Sequence, residues 1–188
     1  MEVSALQVIG TLALLIVLGG GLYVTVKNPG ESADSISYRI SRTRSSFILM
    51  ALSLTLAGLA FYCFLLFWLV PRYTLPSITS WIIIVSFIAQ LLVAWLPARP
   101  QTLGGKVHSI AGVVIGSAMV ACIWILVLFG EDVPRIAYLI SLVTAVVTPI
   151  TYLTLSFGLL RQRSYVLPSE IIMIGTFSLA LLALCWRV

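Results

Sequence analysis

Charge is the scarcest property of this sequence. Only 9% of its 188 residues are Asp, Glu, Lys or Arg, while 61% are hydrophobic. A soluble domain carries about 25% charged residues and roughly 45–50% apolar ones. A chain this short of polar groups cannot cover a water-facing surface with them. A mean hydropathy of +1.13 agrees. An ordinary soluble domain is excluded, and the bilayer is the solvent to consider.

Residues that carry chemistry are few as well. His108 is the single histidine. A lone imidazole cannot make a bis-histidine haem site, and no carboxylates cluster beside it to complete a metal set. Cys63, Cys122 and Cys185 lie in apolar runs without a CxxC pair, so neither a disulfide nor a metal is implied. No GxSxG, HExxH, P-loop or dinucleotide fingerprint is present, and no motif names a cofactor. No acid or base lies deep in an apolar run. That argues against the nucleophile–base pair of an intramembrane hydrolase and against the buried charge of an ion-coupled pump. An enzyme therefore ranks last among the function classes.

What the chain does have is six long apolar runs, at about 5–26, 47–70, 78–96, 107–129, 136–160 and 171–186. Each approaches the roughly 20 residues a helix needs to cross about 30 Å of hydrocarbon. The runs are apolar on all sides, unlike the alternating strands of a barrel. Breakers separate them: Asn28-Pro29-Gly30, Pro71 with Pro76, Pro97 to Gly105, Gly130 to Pro134, and Arg161 to Pro168. The expected fold is an all-α membrane protein, a bundle of six transmembrane helices in a single integral membrane domain. The first run is long for a signal peptide and lacks a basic leader, so it is read as a retained helix.

The formal charge of +5 comes from cations in the separators, which points to topology and lipid head groups rather than nucleic acid. Loops one, three and five hold eight Lys and Arg; loops two and four and the C-terminus hold three. The positive-inside rule then places both termini outside the cytoplasm. Trp68, Tyr73, Trp81, Trp95, Tyr138 and Trp186 stand near run ends, where interfacial belts form.

A handful of polar and small residues stand out against this background. His108 opens the fourth run, with Gly112 and Gly116 at four-residue spacing on its face. Small residues so spaced admit a neighbouring helix, or another subunit, while His108 either holds a structural hydrogen bond or meets a solute or head group. Ser141, Thr144, Thr148 and Thr151 form a seam on the fifth run beside Pro149. Such a seam serves helix packing or, as the alternative, a polar-solute path. Gln90 is the one amide deep inside a span and calls for a protein partner or, as the alternative, a solute. Gly19-Gly20-Gly21 permits close packing in the first run. The first loop, Lys27–Ser46, carries four cations, two acids and six serines. Alternation of Ile36, Tyr38 and Ile40 suggests an extended interfacial segment, Arg39, Arg42 and Arg44 are candidates for phospholipid phosphate, and Ser45 or Ser46 for the second helix's N-cap.

The layout resembles the prokaryotic six-helix membrane family known as domain of unknown function nine hundred and ninety-eight. The resemblance is carried by Val107-His108-Ser109-Ile110-Ala111-Gly112, by the Pro- and Gly-rich stretch Pro97–Gly105, and by Gly158-Leu159-Leu160-Arg161-Gln162-Arg163. It implies the same helix count and a prokaryotic cytoplasmic membrane, but no activity. Where that family often has an aspartate after helix three, this chain reads Pro97-Ala98-Arg99-Pro100, so an acid–histidine pair does not carry over. Together these features lead us to expect a non-enzymatic polytopic protein that binds membrane lipids or small amphiphiles, or packs with other membrane subunits or with itself. A small transporter or channel is the alternative.

Overall fold

The computed structural model describes residues 4–99, 101–161 and 163–186. Six helices long and apolar enough to cross a membrane run through them: Ala5–Lys27, Arg44–Arg72, Ser77–Trp95, Leu103–Phe129, Arg135–Arg161 and Val166–Trp186. The protein is an all-α bundle of six spans. Pro100, Gln162 and Arg187, which figured in the sequence reading, lie outside the described residues.

Local chemistry sets the helix ends. Ser4 caps the first span through a reciprocal pair with Gln7, and Asn28 closes it. The second span starts behind Thr43 rather than Ser45 or Ser46. Thr43 makes no side-chain cap, and Ser46 is buried, accepting from Asn28 Nδ2 at 3.2 Å. The second span ends at Arg72, one residue past Pro71, the break that the sequence marked. A π turn over Leu65–Leu69 precedes it, and the Val70 N–H reaches back to the Leu65 carbonyl. The wider turn absorbs the donor that proline lacks.

The fourth span begins one turn earlier than its apolar run, because the Thr102 hydroxyl accepts the Gly105 N–H at 3.0 Å. Gly104 and Gly105 are thus helical, not loop. At Gly105 a side chain would collide with the Arg99 carbonyl. The sixth span also starts early, at Val166, since Pro168 in a first turn forfeits no helical hydrogen bond.

The first loop holds a short helix, Ile36–Ile40, where alternation had suggested an extended strand. Ser35 caps it, and Ile40 packs on Val24 and Met50. Tertiary contact with the first two spans overrides the period-two pattern.

Consecutive spans pack side by side. The first and sixth close the ring at the terminal end, where Gln7 Nε2 donates to the Cys185 carbonyl at 2.7 Å and the Trp186 indole to Thr11 at 3.1 Å. Loops two and four meet at the same end, the Glu131 N–H donating to the Tyr73 carbonyl. Loops one and five meet at the other, the Leu167 N–H donating to the Ser32 carbonyl. Both termini therefore share one face, and loops one, three and five share the opposite one.

Lipid offers no hydrophobic drive for helix association, so contacts rest on close packing and hydrogen bonds. Four glycines on spans receive a neighbouring span's side chain: Gly10 takes Phe64, Gly58 takes Gln90, Gly116 takes Tyr152, and Gly158 takes Val166. The main core lies toward the terminal face, around Tyr62, Phe64, Tyr73, Ile83, Leu126, Ala137 and Leu184. Toward the loop face the core divides in two, one part around Val24, Ile40 and Met50, the other around Leu155, Val166 and Met173. Trp81, Trp95, Tyr138 and Trp186 face outward. Tyr73 and Trp68 turn inward instead of joining an interfacial belt.

Candidate functional site

The polar residues of the spans separate into three places. The fifth-span seam is one. Ser141, Thr144 and Thr148 are at most 2% exposed. The Thr144 hydroxyl donates to the Thr176 carbonyl of the sixth span at 3.2 Å. The hydroxyls of Ser141 and Thr148 have no partner among the described residues. Thr151 is half-buried and bonds back to the Val147 and Thr148 carbonyls of its own helix, next to Pro149. The seam lies inside the contact between spans five and six.

Gln90 and the glycines form the second group. The Gln90 amide donates to the Leu54 carbonyl at 2.9 Å across the second and third spans, in the space that Gly58 leaves. Gly58 was not singled out from the sequence, and only the reach of Gln90 reveals its use. Gly116 receives the Tyr152 ring, whose hydroxyl bonds the Val113 carbonyl at 3.2 Å. Gly112 is exposed, and open space surrounds it. Gly116 thus packs within the chain, while Gly112 does not. Of the triple glycine, only at Gly20 would an added methyl meet a neighbouring side chain, Met50, at ordinary contact distance.

The third place is the loop face. A cleft there is walled by Phe47, Met50, Ala51 and Leu54 of the second span and by Val93 and Ala94 of the third. Ser37 and Ile40 of the short helix, together with Leu96, Ala98 and His108, form its remaining lining. The His108 Nδ1 donates to the Leu96 carbonyl at 2.6 Å, tying the start of the fourth span to the end of the third. The space inside the cleft is about 20 Å³, far below the roughly 300–1,000 Å³ of sites that enclose drug-sized ligands. It is a shallow groove with apolar walls, and Ser37 and His108 are the polar residues of its lining.

The loop-face cations divide by task. Arg39 is 5% exposed, and its guanidinium donates to the Gly30 and Glu31 carbonyls at 3.0 and 2.7 Å. Arg42 pairs with Asp34 at 2.8 Å and donates to the Pro29 carbonyl. Both hold the loop in shape. Arg44 has no side-chain partner among the described residues.

Glu170 escaped the sequence reading because its helix begins before its apolar run does. Its carboxylate accepts the Ile36 N–H at 2.7 Å and so caps the short helix from the sixth span. A lone acid directly before an apolar run was the available signal. Among the described residues, no three of His, Cys, Asp and Glu come together as a metal site would require. Comparison of the chain with family models, curated proteins and solved structures yields no match.

Proposed function

We propose that this polytopic membrane protein is a non-enzymatic lipid- or amphiphile-binding protein whose site is the loop-face cleft. One observation carries the reading: apolar walls from the second and third spans share a groove with Ser37 of the first loop and His108 near the start of the fourth span. An amphiphile has that same division. Its tail gains by leaving the lipid only where packing is close, and its head stays at the wet edge. By the positive-inside argument this edge is cytoplasmic. The test is photo-cross-linking with a diazirine-bearing fatty acid, followed by peptide mapping. Adducts concentrated in 47–54 and 93–98 are expected. Adducts spread evenly round the bundle overturn the reading.

A second reading, accessory subunit, draws on the open outward face at Gly112. On it, Gly112→Leu abolishes co-purification of a stoichiometric partner while leaving the monomer folded. Gly116→Leu does not test this, since it strikes Tyr152 within the chain. The transport alternative draws on the fifth-span seam, where Thr144 is bonded to the Thr176 carbonyl of the sixth span and the buried hydroxyls of Ser141 and Thr148 have no partner among the described residues.

A further inference from the structure

The charge around the cleft selects among amphiphiles. Arg44 lies one turn before Phe47, and three residues is the spacing that keeps two side chains on one helix face. It therefore stands on the cleft-lining face of the second span, at its mouth. Arg99 follows Ala98, which lines the opposite lip. Neither arginine has an ion-pair partner among the described residues.

The loop-face acids are committed elsewhere. Asp34 is paired with Arg42 at 2.8 Å, and Glu170 is bonded to the Ile36 N–H at 2.7 Å. The Glu31 backbone carbonyl takes Arg39, and its carboxylate makes no ion pair with Arg44 or Arg99 among the described residues. At 3.6 residues per turn, Arg39 points roughly 160° from Ser37, which faces the cleft. Among the described residues, no acid pairs with the arginines at the mouth.

From this complementarity we infer that the cleft takes an anionic phospholipid, its phosphate at Arg44 and Arg99 and its acyl chain along Phe47, Ala51 and Val93. The inference rests on the cleft being an amphiphile site. A zwitterionic lipid offers the same phosphate, but its ammonium would stand among cations without a carboxylate to receive it. Arginine suits the phosphate because its planar fork bonds two oxygens at once.

Native mass spectrometry of the full chain, ejected from nanodiscs of mixed phosphatidylglycerol and phosphatidylcholine, tests it. The wild-type chain should retain phosphatidylglycerol over phosphatidylcholine by about fivefold or more, the scale expected of a cation close to an anionic head group. Arg44→Gln with Arg99→Gln should bring the two lipids near parity while one lipid is still retained, and Arg44→Lys with Arg99→Lys should keep most of the preference. Ala98→Trp, which blocks the lip without touching a span, should abolish retention of both. Equal retention by the wild-type chain, or a preference unchanged in the double Gln variant, overturns the charge selection alone. A wild-type chain that retains no lipid, or an Ala98→Trp variant that retains as much as wild type, overturns the cleft as a site.

Discussion

A hydroxyl buried in hydrocarbon gains or loses by its partner, and the seam contains both cases. Thr144 donates to the Thr176 carbonyl, whereas Thr148 has no partner and is fully buried. Val has the same shape as Thr without the hydroxyl. Thr144→Val should therefore cost about 0.6–1.7 kcal/mol, the range of interhelical hydrogen bonds in membranes. Thr148→Val should be neutral or stabilising, because an unmet polar group is replaced by a methyl. Unfolding in detergent measures both. Gly58→Ala is the harsher change: its Cβ would occupy the position of the Gln90 amide, and a loss of about 1–3 kcal/mol is expected. At the terminal face, Tyr73 donates to the Leu184 carbonyl at 2.6 Å. Burial pushes its phenol up to about 12, with Arg72 pulling partly back. The fold favours the protonated form. Its contribution is complete below the unfolded value of about 10 and disappears as the pH rises through about 12. Tyr73→Phe should remove that alkaline step from the stability profile.

Elements follow their sequence until a neighbour offers something better. Ile36–Ile40 is too short to be a stable helix on its own. It persists because Ser35 caps it, Glu170 accepts from Ile36, and Ile40 is buried on Val24 and Met50. A buried N–H left without its acceptor costs about 1–3 kcal/mol. Glu170→Leu should therefore expose the short helix, raising the rate at which an Ile40→Cys side chain reacts with maleimide by roughly tenfold or more. Glu170→Gln retains an acceptor and should stay closer to wild type. Labelling unchanged by Glu170→Leu would mean that Ile40 packing alone holds the helix. The second span shows the opposite balance. Pro71 removes one donor, yet the helix runs on to Arg72 through its π turn, because aromatic packing of Phe64 on Trp68 and of Trp68 on Tyr73 fixes the chain on either side.

At the scale of the molecule, an even number of spans and the loop pairings put both ends on one face. Reporter tags at the two termini should read the same compartment, and opposite readings would contradict the bundle. Composition and run length alone made six spans legible, because burying backbone in lipid leaves the helix as the only solution for segments without barrel alternation. Gly130 and the prolines near the span ends also marked most boundaries to within a few residues. What lay beyond the sequence was pairwise. Nothing in the row of residues says that Gly58 makes room for Gln90, that Gly116 is filled from within while Gly112 is open, or that Arg39 and Arg42 are tied to the first loop and leave Arg44. Glu170 looked like a loop residue until the sixth helix reached back to include it. A sequence fixes which segments enter the membrane, since that depends on each segment's own transfer from water. Which faces meet, and which charges are left over at a cleft, depends on how helices of almost uniform hydropathy are rotated against one another, and only tertiary packing decides that.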